Sequence, residues 1–353
     1  MTPRSLALAA ACVGLCCGGA GPGSSPDAGA GAPPGPPAVI ADIDTSFDDV
    51  AALAYLCQEH KLGRIALKAV TVTAAGVAYP GKAIKYARCM LEECGLTIPV
   101  ADSPATGANT FPATIRDDVE VTLSAVFSTC TQSEQASARS APDVIVEAAS
   151  AGPGKAMLLT FGPLTNVALA LEQAPGVLGP HLERVSIMGG AVHVPGNLCC
   201  GAGQGASNTQ ELNLWADPAA AATVFEALGP AVRLVSLDAT RFAPVTEAYL
   251  QTIAGDHHTR EADVVAAIAA SPSVVAGARG GFLFWWDPLN AAAAVHPGLV
   301  EFRTEGVRVV QQGPDLGQTR PASDGAQIQV GQSVDAARFE RLFLDALNGR
   351  TGG

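Results

Sequence analysis

The sequence predicts an α/β fold: an open, mostly parallel twisted sheet flanked by helices, in a single large domain. Three observations carry that expectation. Short apolar runs alternate with helical patterns, polar or glycine-rich turns follow several of those runs, and four aspartates crowd the first such turn. Strands are expected at 38–43, 65–72, 98–101, 156–161, 184–188 and 232–237, with late strands at 307–310 and 328–330. Helices are expected at 50–60, 81–93, 143–150, 164–173 and 218–227, then through roughly 246–270, from Asp287 onward, and at 336–347 where the chain closes. Strands separated by helices pair in parallel, because the crossover helix returns the chain to the same end of the sheet. The polar stretch 103–140 lacks either period and reads as a lid or rim.

Residues 1–19 carry one early basic residue, Arg4, then an apolar stretch to Cys17 that is too short to span a bilayer, the layout of a secretory signal. Residues 20–37 are almost wholly Gly, Ala, Pro and Ser, which reads as a flexible tether ahead of a catalytic domain at 38–350. Cys12 and Cys16 match a lipoprotein acylation site imperfectly, yet a tether suits an anchor. The expectation is an exported protein: periplasmic, held to a membrane as a lipoprotein, or secreted. Past the leader stand Cys57, Cys89, Cys94, Cys130, Cys199 and Cys200, an even number that favours disulfides without fixing their pairing, at spacings unlike a zinc framework. A net charge of −12 with no basic stripe excludes nucleic-acid binding.

The chemistry starts at Asp42-Ile43-Asp44-Thr45-Ser46-Phe47-Asp48-Asp49. An apolar run ends and a helical pattern begins there, so the acids occupy a strand-to-helix turn at the carboxyl end of a strand, where open α/β sheets bind ligands. Like charges this close call for a cation, and carboxylate oxygens are the donors that Ca²⁺ or Mg²⁺ prefer. The competing reading is a solvated acidic loop with Asp48 as the helix cap. Gly162-Pro163-Leu164-Thr165-Asn166 follows a second apolar run, and Met188-Gly189-Gly190 a third, whose glycines let backbone approach a small molecule. Asn197, Glu211 and Asn213 are donors and acceptors suited to sugar hydroxyls, and Trp286-Asp287-Pro288 sets an acid beside an indole at a helix start. His193 and the pair His257-His258 read as ordinary turn and loop residues.

These pieces, in this order and across nearly the whole mature chain, resemble the nucleoside hydrolases of the inosine-uridine preferring type. The resemblance implies Ca²⁺ held by Asp44, Asp49, Asp287 and the carbonyl of Phe161. It also implies that Asp44 takes the proton of the attacking water, that Asp48, Asn197, Glu211 and Asn213 hold ribose, and that Asp42 supports the loop from behind. The substrate would be a nucleoside, the product a free base and ribose for salvage, and the assembly a homodimer or homotetramer. Two departures qualify the pattern. Trp286 stands where many members carry His, as in purine-preferring members, where it stacks on the base. The stretch Ala74-Ala75-Gly76-Val77 offers no polar side chain after the second strand. Phe111 is the nearest candidate for a second aromatic, and the segment between Asn197 and Glu211 is long and contains Cys199-Cys200. The alternatives are a nucleoside- or sugar-binding protein of the same fold that has lost turnover, and a phosphatase-type use of Asp42 and Asp44.

Overall fold

The protein is described by a computed structural model that covers residues 35–198 and 208–351; the expected signal, nearly all of the tether and Cys199-Cys200 lie outside the described residues. Among the described residues, nine strands form one sheet: β1 Ala38–Ile43, β2 Ala66–Thr73, β3 Val100–Ser103, β4 Ala156–Thr160, β5 Leu182–Met188, β6 Val232–Val235, β7 Val300–Val309, β8 Thr319–Pro321 and β9 Ala326–Val334, in the order β3-β2-β1-β4-β5-β6-β9-β7-β8. From β3 to β9 every pairing is parallel. β7 runs antiparallel to both β9 and β8, so the late strands are longer than their apolar centres announce and turn back at the sheet's edge. An antiparallel edge needs only a hairpin connection and one buried face, which leaves a weaker apolar signal than a central parallel strand.

The central strands are apolar on both faces because helices cover both. In β1, Val39, Ala41 and Ile43 belong to one core and Ile40 to the other. Strand order reverses between β1 and β4, whose neighbours on either side were laid down in opposite directions along the sheet. The crevice at such a switch point, beyond the strands' carboxyl ends, is where this architecture binds ligands. Asp44 follows β1 there and Phe161 follows β4.

Helix boundaries explain two further differences. The helix after β1 is Phe47–Lys61, starting earlier than the apolar period because Ser46, not Asp48, caps it in a reciprocal capping box with Asp49. Asp48 and Asp49 therefore lie inside its first turn. The stretch expected to be a bare rim contains the helix Ala113–Val126, which buries only Val119, Thr122 and Leu123 and so shows little periodicity. Helix Pro272–Gly280 extends the helical region beyond residue 270, and β6 ends at Val235 before a short helix Leu237–Thr240. Disulfides join Cys57 to Cys94 and Cys89 to Cys130.

Candidate active site

The acidic turn is built by its own side chains. Asp49 Oδ1 accepts the Asp44 N–H at 2.9 Å, and its Oδ2 accepts the Ser46 N–H at 3.0 Å and the Ser46 hydroxyl at 2.8 Å. Asp48 Oδ1 also meets Ser46 Oγ, whose single proton it shares with Asp49, and this draws that carboxylate into the cluster. Thr45, a buried β-branched residue, sits at φ 65°, a left-handed conformation that costs roughly 1–3 kcal/mol and that the surrounding bonds must hold. Asp44 is wedged between two glycines: a Cβ added at Gly76 would lie 2.0 Å from Asp44 Cβ, and one added at Gly162 would lie 2.6 Å away. Both positions admit only glycine while Asp44 keeps its place.

Asp287 arrives from the other end of the chain, in the first turn of helix Trp286–Val295. Carboxylate oxygens of Asp48, Asp49 and Asp287 lie within 4.8 Å of one another. Asp44 stands beside this trio with its Oδ2 accepting the Val77 N–H at 3.1 Å. All four acids line one cleft whose lining, among the described residues, contains no Lys, Arg or His. The electrostatic consequence is a set of carboxyl groups held protonated above their usual range. Burial, then the charge of Asp49, pushes Asp48 up to about 6. Burial and the neighbouring acids raise Asp44 and Asp287 well beyond the ordinary 3.8. Among the described residues, Asp287 Oδ1 is buried with no hydrogen-bond partner. A buried anionic oxygen without a donor is costly unless a cation meets it. The donors are all oxygens, the set that hard divalent ions take.

The other expected residues gather around this cleft. Asp42 lies behind it inside β1, where its Oδ1 accepts from Thr71 Oγ1 at 2.7 Å and Asn166 Nδ2 at 2.8 Å, and burial pushes it up to about 7. Asn213 Nδ2 donates to the Phe161 carbonyl at 3.0 Å and so aims that oxygen. Glu211 caps the short helix Leu212–Ala216 and also accepts the Gly190 N–H at 2.9 Å, tying the glycine turn to the cleft wall. Asn197 Oδ1 accepts the Leu212 N–H at 3.0 Å. Trp286 and Phe111 line the same cleft. Asp238 accepts the Val192 and His193 N–H groups at 2.9 Å each and holds the glycine-rich loop, whereas His193 itself pairs with Glu305. His257 and His258 pair with Asp263 and Asp256 on the surface.

Several contributors escaped sequence reading. Ile115 and Val119 of helix Ala113–Val126 line the cleft, and their spacing with Leu123 at every fourth residue was the available signal. Asn290, one turn after Asp287, donates to the carbonyls of Thr160 and Ser186 at 3.1 and 3.2 Å and stitches its helix to β4 and β5. No sequence motif marks it.

A model of the family described as inosine-uridine preferring nucleoside hydrolase matches residues 39–341. The chain is 28% identical over 320 residues to the non-specific ribonucleoside hydrolase RihC of Escherichia coli O1:K1, covering 88% of this chain and 97% of that protein. It is 31% identical over 182 residues to probable uridine nucleosidase 1 of Oryza sativa subsp. japonica, a match that spans 51% of this chain and about half, 52%, of the rice protein. Among solved structures, the inosine-uridine preferring nucleoside hydrolase from Bacillus anthracis superposes with a TM-score of 0.76 at 26% identity, over 88% of this chain and 99% of that one. The mostly parallel sheet, the acidic cleft at its switch point and these matches agree: the chain belongs to the inosine-uridine preferring nucleoside hydrolase family, hydrolases that act on N-glycosyl bonds.

Proposed function

We propose that the protein is a calcium-dependent ribonucleoside hydrolase that prefers purine nucleosides. The observation that carries the metal is Asp287 Oδ1, which among the described residues is buried without a partner beside Asp48 and Asp49 in a cleft lined by no basic side chain. Asp44, Asp49, Asp287 and the Phe161 carbonyl would hold the ion. An irregular all-oxygen shell suits Ca²⁺ better than Mg²⁺, which demands near-octahedral geometry. Bound there, the ion would acidify a water and steady two ribose hydroxyls.

The chain's own residues do the rest. Asp44, held by the Val77 N–H and by the close approach of two glycines, takes the proton of the attacking water. Asp48, Asn197, Glu211 and Asn213 orient the sugar, and the anionic oxygens around it stabilise the positive charge that develops as the glycosidic bond breaks. Trp286 and Phe111 flank the remaining space as flat apolar surfaces for the base. The purine preference rests on these rings, since the relatives named above include uridine and non-specific enzymes. Export is supported by the two disulfides, which belong in an oxidising compartment. The catalytic domain would occupy 38–350, and a lipid anchor at the leader and a homodimer or homotetramer complete the reading.

The test is metal analysis of purified protein together with ribose release from inosine and uridine, with and without a chelator. Stoichiometric calcium, chelator-sensitive turnover and a higher kcat/KM on inosine are expected. Metal-free protein with full activity would overturn the calcium assignment, and equal or better efficiency on uridine would overturn the base preference. Inosine binding by calorimetry without ribose release would favour the turnover-deficient alternative, which is motivated by Trp286 in place of His and by the lack of a polar side chain at Ala74-Ala75-Gly76-Val77.

A further inference from the structure

We infer that Arg116 is a positioning residue that holds Asp44 in its reactive orientation through one peptide unit, the bond between Gly76 and Val77. The inference rests on the reading of Asp44 as the proton acceptor and adds a residue that no site motif contains. Arg116 lies in the first turn of helix Ala113–Val126, and its Nη2 donates to the Gly76 carbonyl at 2.8 Å. On the far side of the same peptide, the Val77 N–H donates to Asp44 Oδ2 at 3.1 Å. A trans peptide is planar, with its C=O and N–H pointing in opposite directions, so fixing the carbonyl fixes the line along which the N–H points. A guanidinium on the carbonyl also polarises the amide and strengthens its N–H as a donor.

Other contacts restrict the alternatives. Gly76 approaches Asp44 so closely that no other residue fits, and the Ala78 N–H donates to the Asp44 carbonyl at 3.3 Å, so the loop tracks the aspartate's backbone as well as its side chain. The stretch 74–77 has no polar side chain of its own, which leaves the peptide as its means of holding the carboxylate. The Arg116 guanidinium carbon lies 5.6 Å from the centroid of the Tyr79 ring, two residues beyond the clamped peptide, and the Tyr79 hydroxyl donates to Asp117 at 2.7 Å. Helix and loop are thus registered at two points. Among the described residues, the Arg116 Nε is buried without a hydrogen-bond partner. With its Nη2 engaged by a backbone carbonyl, the side chain contributes through what it orients.

The experiment compares Arg116→Ala and Arg116→Lys, each alone and combined with Asp44→Asn, using inosine and uridine hydrolysis and amide hydrogen exchange at Val77. For Arg116→Ala, kcat should fall about 10- to 100-fold, the scale of a misplaced catalytic group, with KM changed less than about twofold. Val77 exchange should quicken by about tenfold or more, and Arg116→Lys, which can still donate to the carbonyl, should restore most of both. In the Asp44→Asn background, Arg116→Ala should cost nothing further in kcat, because residues that act as a unit are non-additive. Unchanged Val77 exchange, or an equal kcat loss in both backgrounds, would overturn the inference. Full turnover by Asp44→Asn alone would instead defeat the role given to Asp44, and Val77 exchange would still decide the clamp.

Discussion

Helix Phe47–Lys61 buries acids near both of its ends, and the two ends treat them in opposite ways. At the amino end, Asp49 and its neighbours Asp44 and Asp287 are buried with each other and, among the described residues, without a basic side chain in the cleft. Toward the carboxyl end, Glu59 is fully buried but gripped by Arg64, at 2.5 Å from Nε and 2.9 Å from Nη2, with His296 3.9 Å away. Burial pushes each carboxyl group upward. At Glu59, hydrogen bonds and charge from Arg64 and His296 outweigh that push and hold it below its ordinary 4.5; at Asp44 and Asp287 the neighbours add to it. The same helix therefore separates a finished ion pair from an unfinished one. The unfinished end lies at the switch point of the sheet, where a cation and a substrate can complete it.

Breaking the active end should have the largest effect. Asp44→Asn keeps the side chain's shape, so the protein should fold with its thermal midpoint little changed, while turnover measured by ribose release drops by on the order of 10² to 10⁴. At the other end the expected loss is in stability alone. Arg64→Ala strands the Glu59 carboxylate, and since Arg64 is only 29% exposed, chemical denaturation should show a loss of about 3 kcal/mol with kcat unchanged. A loss of turnover in that variant would show that the two ends are coupled.

The ends should also differ in their response to pH and to calcium. Without a cation, folded Asp42 and Asp48 release protons at about 7 and about 6, against an ordinary value of 3.8. The folded state then holds more protons than the unfolded chain between about pH 4 and about pH 7, so its stability falls as pH rises through that window. Glu59 has the opposite sign: its contribution is present above 4.5 and is lost as pH falls through its lowered value. Calorimetry with a chelator should therefore show a higher melting point near about pH 5 than near about pH 8. Saturating calcium should flatten that slope, adding about 2.7 kcal/mol at a hundred times its dissociation constant. A chelated protein equally stable at both pH values would contradict the unpaired-acid description.

The smallest effect is expected at Asp42. Its Oδ1 accepts both of its side-chain hydrogen bonds, and an amide oxygen can accept the same two, so at about pH 5, where folded Asp42 is itself uncharged, Asp42→Asn should change stability by less than about 1 kcal/mol. A large loss would mean that its charge, and not only its acceptor geometry, supports the loop.

Much of the site was legible in the sequence because local motifs encode turns. Asp44, Asp48 and Asp49 share one capping turn, Gly162-Pro163 follows β4, and Glu211 and Asn213 are separated by one residue. The helix Ala113–Val126 was not legible, because a rim helix that buries one narrow face lacks a strong apolar period. Arg116 and Asn290 were hidden for a related reason: both act on backbone carbonyls, at Gly76, Thr160 and Ser186, that sequence spacing does not place.

The sequence by itself determined the alternation of strands and helices, the acidic turn and the family, since periodicity and turn chemistry are short-range properties of the chain. The resemblance already implied that Asp287 meets Asp49; only the tertiary structure decided that Asp48 joins them, that Cys57 pairs with Cys94 and Cys89 with Cys130, and that a peptide clamped by Arg116 meets Asp44. The reason is physical: which distant groups meet depends on strand order and on how helices pack across the sheet, and those are set by burial of the whole core.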